Sequence, residues 1–307
     1  MAAGLAAETT RSQSQFAVPL CGISGRGALT FPVYLRTASD TLVLYRDASA
    51  HIAEDQVERL YQEGVREFWI RGADRSAYLH RIERSLSEVL ADRRAPIERR
   101  AGVLHGVALT IAEESLQGRL DREGIGRAQR MLVSASSLVL REQGAFAAMR
   151  SMLTASHSLA QHSVTTAFLS MGLARTVVSS DAATVSMAGL AGLFHDVGRV
   201  GYEQAGHDPD HAQRGFALLK QFGLPPEVCA AALSHHERHD GSGYPQTLRG
   251  ASIHPIARVV GIVDAFDEVY SEQKGRSGVF ETLRALAEMW RGCFEPTAAM
   301  QFVKLFR

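Results

Sequence analysis

"SHHERHDGSGYP", residues 234–245, sets three histidines, two acids and two glycines into twelve positions. His235 and His236 are adjacent and close the helical stretch "PPEVCAAALSHHE" (225–237). The second half is a turn punctuated by glycine and proline. A pair of imidazoles at a helix end is metal chemistry only if further ligands lie elsewhere in the chain.

Candidate partners recur on successive apolar helical stretches. His162 lies in "SLAQHSVTTAFLSMGLA" (158–174), and His195 and Asp196 end "VSMAGLAGLFHDVGR" (185–199). His211 follows "DPD", where Pro209 suits the first turn of a new helix. Asp264 sits among apolar neighbours in "ARVVGIVDAFDEVY" (257–270). A buried, unpaired carboxylate is costly, and a metal ion is one partner that would relieve it. Imidazole nitrogen and carboxylate oxygen together suit Fe, Mn, Zn or Co. A carboxylate such as Asp196 can bridge two cations, and such a pair can clamp a phosphoryl group and activate water. The order H…HD…H…HH…D on consecutive helices is far more specific than any single histidine. His157, His207, His239 and His254 fit this set less well and read as solvated or supporting residues.

The totals fit a soluble protein of two domains. Of 307 residues, 46% are hydrophobic and 21% charged, and Lys plus Arg equals Asp plus Glu at 33 each. No overall basic field points to DNA or a membrane surface. The start of the sequence shows no signal peptide, and no stretch reaches the roughly 18 apolar residues of a membrane span. Three scattered cysteines, Cys21, Cys229 and Cys293, do not make a disulfide framework. A cytoplasmic location is the expectation. Nine of the twelve histidines fall between His157 and His254, so the chemistry is concentrated in the second half.

The pattern predicts a mainly α protein. Residues 1–28 read as a disordered tail apart from the short "FAVPLCGI". Residues 29–93 read as a small α/β module of sensory or interaction type. Its expected strands are "FPVYLRT", "TLVLYRD" and "REFWIRG", with helices over "AEDQVERLYQEG" and "DRSAYLHRIERSLSEVL". Residues 94–144 read as a helical connector that could also pack a homodimer, and 145–307 as an all-helical domain.

At this point the residues resemble a known family. "FHDVGR", "HAQRG", "HHERHDGSGYPQTLRGASIHPIARVVGIVDAFD" and "CFEPTAAMQFVKLF" look like the HD-GYP domain, a branch of the HD metal-dependent phosphohydrolases. The resemblance implies an HD-type helical fold over 145–307 and a centre of two or three divalent metals, often iron or manganese. It also implies hydrolysis of the bacterial second messenger cyclic di-GMP to pGpG or GMP. Carried over residue by residue, it implies one metal held by His162, His195, Asp196 and Asp264 and another by Asp196, His211, His235 and His236. Asp240, Gly241, Gly243, Tyr244 and Pro245 match the signature loop, for which Gly241 and Gly243 can take positive φ and Pro245 stiffens the exit. Diguanylate cyclase (GGDEF) proteins are the partners such a loop implies.

Departures from the family pattern sharpen the expectations. Arg199 replaces a lysine expected to hold phosphate, exchanging a point charge for a planar fork. Ser158 stands where members with a third metal carry glutamate, so two metals are expected. The stretch between His195 and His211 is shorter than usual, which implies a reduced cover. Gln273 replaces a phosphate-binding arginine, while Arg276 and Lys274 remain as cations for substrate, beside Tyr244. Losing one charged hydrogen bond to phosphate costs roughly 1.5–3 kcal/mol. Two alternatives to cyclic di-GMP hydrolysis therefore stay open: a degenerate receptor or interaction protein with little turnover, and a hydrolase for another nucleotide.

Overall fold

A computed structural model describes residues 15–20, 23, 27–37, 41–117, 120–152, 158–202, 208–272, 278–289 and 291–306. The chain divides into two compact units, Met1–Val103 and Leu104–Arg307.

The first unit is built on an antiparallel sheet of β1 (Gln15–Pro19), β2 (Val33–Arg36), β3 (Leu42–Arg46) and β4 (Glu67–Arg71), in the order β1-β4-β2-β3. β1 falls within the expected tail and overlaps its excepted apolar segment from Phe16 to Pro19. It is ordered by pairing along the whole of β4, from Gln15 opposite Arg71 to Pro19 opposite Glu67. Helices α1 (Glu54–Gln62), α2 (Arg75–Glu83) and α3 (Leu86–Ala91) complete the unit. The long helix expected over 74–90 is broken: Ser85, at φ −123°, leaves the helical region, and its N–H donates to Ile82 O. Val18, Val33, Phe68, Ile70 and Ile82 are buried with Tyr78, whose ring meets Phe16 and Phe31 edge-on.

Helix α4 (Ile97–Gln117) spans the division between the units. The second unit continues with α5 (Arg122–Arg141), α6 (Ala145–Arg150), α7 (Leu159–Val177), α8 (Ala182–Phe194), α9 (His211–Gln221), α10 (Pro226–Ser234), α11 (Pro255–Glu272), α12 (Val279–Met289) and α13 (Pro296–Lys304). α5 falls in the segment that reads as a connector and lies within the second compact unit. Its stripe of Ile125, Ala128, Met131, Leu132, Ala135, Leu138 and Val139 is buried, and the helix packs on α8. α7 is buried on nearly every face, as befits a central helix rather than a surface one. Small residues let its neighbours approach: a Cβ on Gly192 of α8 would lie 2.7 Å from the Thr166 carbonyl oxygen of α7. No helix among the described residues is long and apolar enough to cross a membrane.

Candidate metal centre

Five helices of the second unit deliver the site. His162 projects from the first turn of α7, a helix whose N-cap, Ser158, accepts from the Gln161 N–H through its hydroxyl. His195 caps the C-terminus of α8, and Asp196 opens the short 3₁₀ turn 197–199. His211 is the first residue of α9, so Pro209 precedes the Asp210 cap instead of entering the helix. His235 caps the C-terminus of α10, with His236 next, and Asp264 lies inside α11. All but His162 are buried.

Asp196 stands between two groups of ligand-type atoms. Its Oδ1 is 3.1 Å from His211 Nε2 and 3.5 Å from His235 Nε2. Its Oδ2 is 3.9 Å from His162 Nε2 and 3.8 Å from His195 Nε2. Asp264 Oδ1 lies 3.2 Å and 3.4 Å from the same two nitrogens, and its Oδ2 is 3.8 Å from His236 Nδ1. Among the described residues, two sets thus have atoms mutually within 4.8 Å: Asp196, His211, His235 and His236; and His162, His195 and Asp264. His239 and His254 belong to neither set.

The donor chemistry of this cluster fits cations. His195 Nδ1 faces the Gly192 carbonyl at 2.8 Å, and His235 Nδ1 faces those of Ala231 and Ala232 at 3.1 and 3.0 Å. A carbonyl only accepts, so each Nδ1 carries the hydrogen and a neutral ring turns the Nε2 lone pair inward. Yet the inward nitrogens pair at 3.1 Å, His162 with His195 and His211 with His235. Asp264 Oδ2 and His236 Nε2 are buried without a hydrogen bond among the described residues. Lone pairs and carboxylate oxygens converging in a buried space call for positive charge, which the proton on His162 supplies in part and which divalent cations between the two sets would supply in full.

Electrostatics agree. Burial would raise the Asp196 and Asp264 carboxyls, but the surrounding histidines hold both well below the usual range. Burial opposes a charge on His162, yet Asp264 and Asp267 outweigh it and hold that imidazole well above the ordinary value. Burial drives His235 down and His236 down to about 2. Arg199 puts Nε 2.6 Å from Asp196 Oδ2, so the guanidinium expected to hold phosphate is engaged with a candidate ligand.

Three contributing residues escaped the sequence reading. Asp267 Oδ2 takes the His162 Nδ1 hydrogen at 2.7 Å and so fixes that ring. Glu268, one residue further on, is exposed at the surface yet pushed up to about 8, chiefly by the charge of Asp264 beside it. Glu237 is buried beside the histidine pair. The first two follow Asp264 by three and four residues, both one turn further along α11, and only the acidic run "DAFDE" hinted at them.

The signature loop lies directly on the site. Tyr244 stacks on His236 with centroids 4.7 Å apart, and its N–H donates to the His236 carbonyl at 3.3 Å. Burial pushes the Tyr244 hydroxyl up to about 12. Gly241 has the expected positive φ, +81°. Gly243 does not: it is needed for closeness, since a Cβ there would stand 2.3 Å from the His236 carbonyl oxygen. Asp240 folds the loop by accepting from the Ser242 N–H and hydroxyl, and the Tyr244–Pro245 peptide is cis. Gln273, Lys274 and Arg276 lie outside the described residues, as do residues 203–207 of the shortened cover, His157 and His207.

Comparison with known proteins agrees with this geometry. Residues 159–269 match the HD domain family. The chain is 34% identical over 188 residues to the cyclic di-GMP phosphodiesterase PA4108 of Pseudomonas aeruginosa, covering 55% of this chain and 44% of that protein. It is 29% identical over 132 residues to a cyclic di-GMP phosphodiesterase of Thermotoga maritima, covering 38% and 36%. A 3′3′-cGAMP-specific phosphodiesterase 1 of Vibrio cholerae is 36% identical over 91 residues, covering 25% and 21%. The chain therefore spans less than half the length of these relatives. A solved structure described as Bd1817, a HDG"Y"P protein from Bdellovibrio bacteriovorus, shares the fold with a TM-score of 0.66 at 18% identity, covering 95% of this chain and 99% of that one. Residues 159–269 thus resemble an HD domain, and the GYP sequence lies directly over the histidine pair at its edge.

Proposed function

We propose that the second unit is a metal-dependent phosphodiesterase that hydrolyses cyclic di-GMP to pGpG or GMP. The observation that carries this reading is the meeting of two buried His/Asp sets at Asp196. His162, His195, Asp196 and Asp264 would hold one divalent cation, and Asp196, His211, His235 and His236 the other, with iron or manganese the favoured ions. Bound there, two such cations lower the pKa of water and stabilise charge on phosphoryl oxygens.

The chain's own residues supply the rest. Asp267 keeps the His162 Nδ1 hydrogen and leaves Nε2 facing the cluster. Arg199 is anchored on Asp196 through Nε, which leaves its terminal N–H groups available to a phosphate at the same place. Tyr244, stacked on His236, walls the site with an aromatic face suited to a base-bearing substrate. Lys274 and Arg276 are proposed as further phosphate contacts. The names of the Pseudomonas and Thermotoga relatives favour cyclic di-GMP, and that of the Vibrio relative makes 3′3′-cGAMP the first competitor.

A second reading, a receptor that binds the dinucleotide with little turnover, draws on the engagement of Arg199 by Asp196. One experiment separates the two. The full chain, loaded with Mn²⁺ or Fe²⁺ and assayed for metal, is given cyclic di-GMP and 3′3′-cGAMP. Linear products from the first, lost in Asp196→Ala together with both metals, are expected. Intact cyclic di-GMP bound to fully loaded protein would leave the receptor reading in its place.

A further inference from the structure

Glu237 directly follows the histidine pair and is buried, with 4% of its surface exposed. A buried carboxylate needs partners, and this one takes both from the far side of the signature loop. Its Oε1 accepts from the Gln246 N–H at 2.6 Å and its Oε2 from the Leu248 N–H at 2.9 Å. Between those two donors Thr247 adopts φ +53°, a left-handed conformation that non-glycine residues rarely accept. Backbone N–H groups flanking such a residue form a concavity that binds anions, and Glu237 supplies the anion from within the chain. Strain of this kind persists only where the surroundings enforce it.

The same short segment grips the loop elsewhere. The His236 carbonyl accepts from the Tyr244 N–H, the His236 ring underlies Tyr244, and Gly243 is pressed against the 236–238 backbone. Glu237 is therefore the bolt at the loop's exit, and His236 is the seat at its middle. We propose that Glu237 is a positioning residue that locks the GYP loop onto the histidine pair, holding Tyr244 over the site for the base-bearing dinucleotide. This rests on the proposed function for its substrate but not for its geometry. Glu237 touches neither cation nor substrate, and it acts through the loop.

The test is Glu237→Gln in the full chain. The amide keeps an acceptor for one N–H and turns its own NH₂ toward the other, so the second bond is lost. Hydrogen–deuterium exchange should show Gln246 and Leu248 amides protected in the wild type and at least about 10-fold faster in the variant. With metal content unchanged, KM for cyclic di-GMP should rise about 10-fold or more while kcat stays within about 3-fold. Lost protection with an unchanged KM, or unchanged protection, overturns the proposal, and so does an equal fall in kcat with loss of metal. Should Glu237→Gln not fold, Gly243→Ala lifts the same loop by placing a Cβ 2.3 Å from the His236 carbonyl oxygen, and the same KM-only effect is expected. A wild type without turnover would remove the proposed function alone, since the exchange measurement needs no substrate.

Discussion

At the scale of single residues, the site is a set of opposed charges whose balance divalent cations would change. Glu268 and His162 are both held in their protonated forms, the first by Asp264 before burial, the second by Asp264 and Asp267 against burial. Cations on Asp264 would cancel the field that keeps both protons, so loading at neutral pH should release them. Calorimetry of Mn²⁺ binding in two buffers of different ionisation enthalpy counts those protons. Glu268→Gln should lower the count by close to one while leaving metal stoichiometry intact. Asp267→Asn removes the charge that orients His162 and should weaken metal binding about 10–100-fold, measured by competition with a chelator. The metal-type side chains were legible in the sequence because they punctuate helical stretches, His162 and Asp264 within α7 and α11 and the others at or just beyond the ends of α8, α9 and α10. Asp267 and Glu237 were not, because their value lies in partners: an imidazole 105 positions away in one case and two loop amides in the other.

At the scale of elements, close approach sets the ligand spacing. The 3₁₀ turn after α8 lies so near the start of α9 that a Cβ on Gly198 would fall 2.0 Å from the His211 carbonyl oxygen and 2.6 Å from the Gly215 N. That contact brings Asp196 to His211. Gly198→Ala should therefore push the turn away, cost about 1–3 kcal/mol in chemical denaturation, and reduce bound metal as well. Gly261 does the same for α11 against the end of α10, its Cβ position lying 2.4 Å from the His235 carbonyl oxygen. The helices themselves were legible from apolar periodicity. The break at Ser85 was not, nor was β1, whose order comes from a partner strand some fifty residues later. The Gly243 reading erred for a related reason: a glycine in a turn signals either left-handed backbone or contact, and only the neighbouring chain tells which.

At the scale of the whole molecule, cations should act as ligands of the fold. A cation at about 100 times its Kd adds about 2.7 kcal/mol to the native state, so chelation should lower the unfolding temperature and Mn²⁺ restore it. The metal-free protein should also be acid-sensitive. His235 and His236 are depressed by burial from an ordinary value of 6.5, so below that pH the unfolded chain binds protons that the folded chain refuses. Their stabilisation is complete above pH 6.5 and is lost progressively as pH falls below it. His162 acts in the opposite sense, its stabilisation being present below 6.5 and lost as pH rises through its elevated folded value. Thermal unfolding of chelated and loaded protein across pH 5–8 should show a steeper acid loss for the loaded protein, because metal binding removes protons from the native state that the unfolded chain still takes up.

The packing of α5 and α13 sets the smallest piece that can work on its own. α5 covers α8 from outside the family match, and α13 brings Phe302 and Phe306 onto Phe266 of α11, with the Arg150 guanidinium donating to the Leu305 carbonyl. A fragment trimmed to residues 159–269 keeps every candidate ligand and strips both covers, leaving apolar surface open on two sides. Such a fragment should aggregate or stay molten, and controlled proteolysis of the intact chain should leave a resistant core running from α5 to the last helix. The boundary of the chemistry and the boundary of cooperative folding are thus different lines on the same sequence.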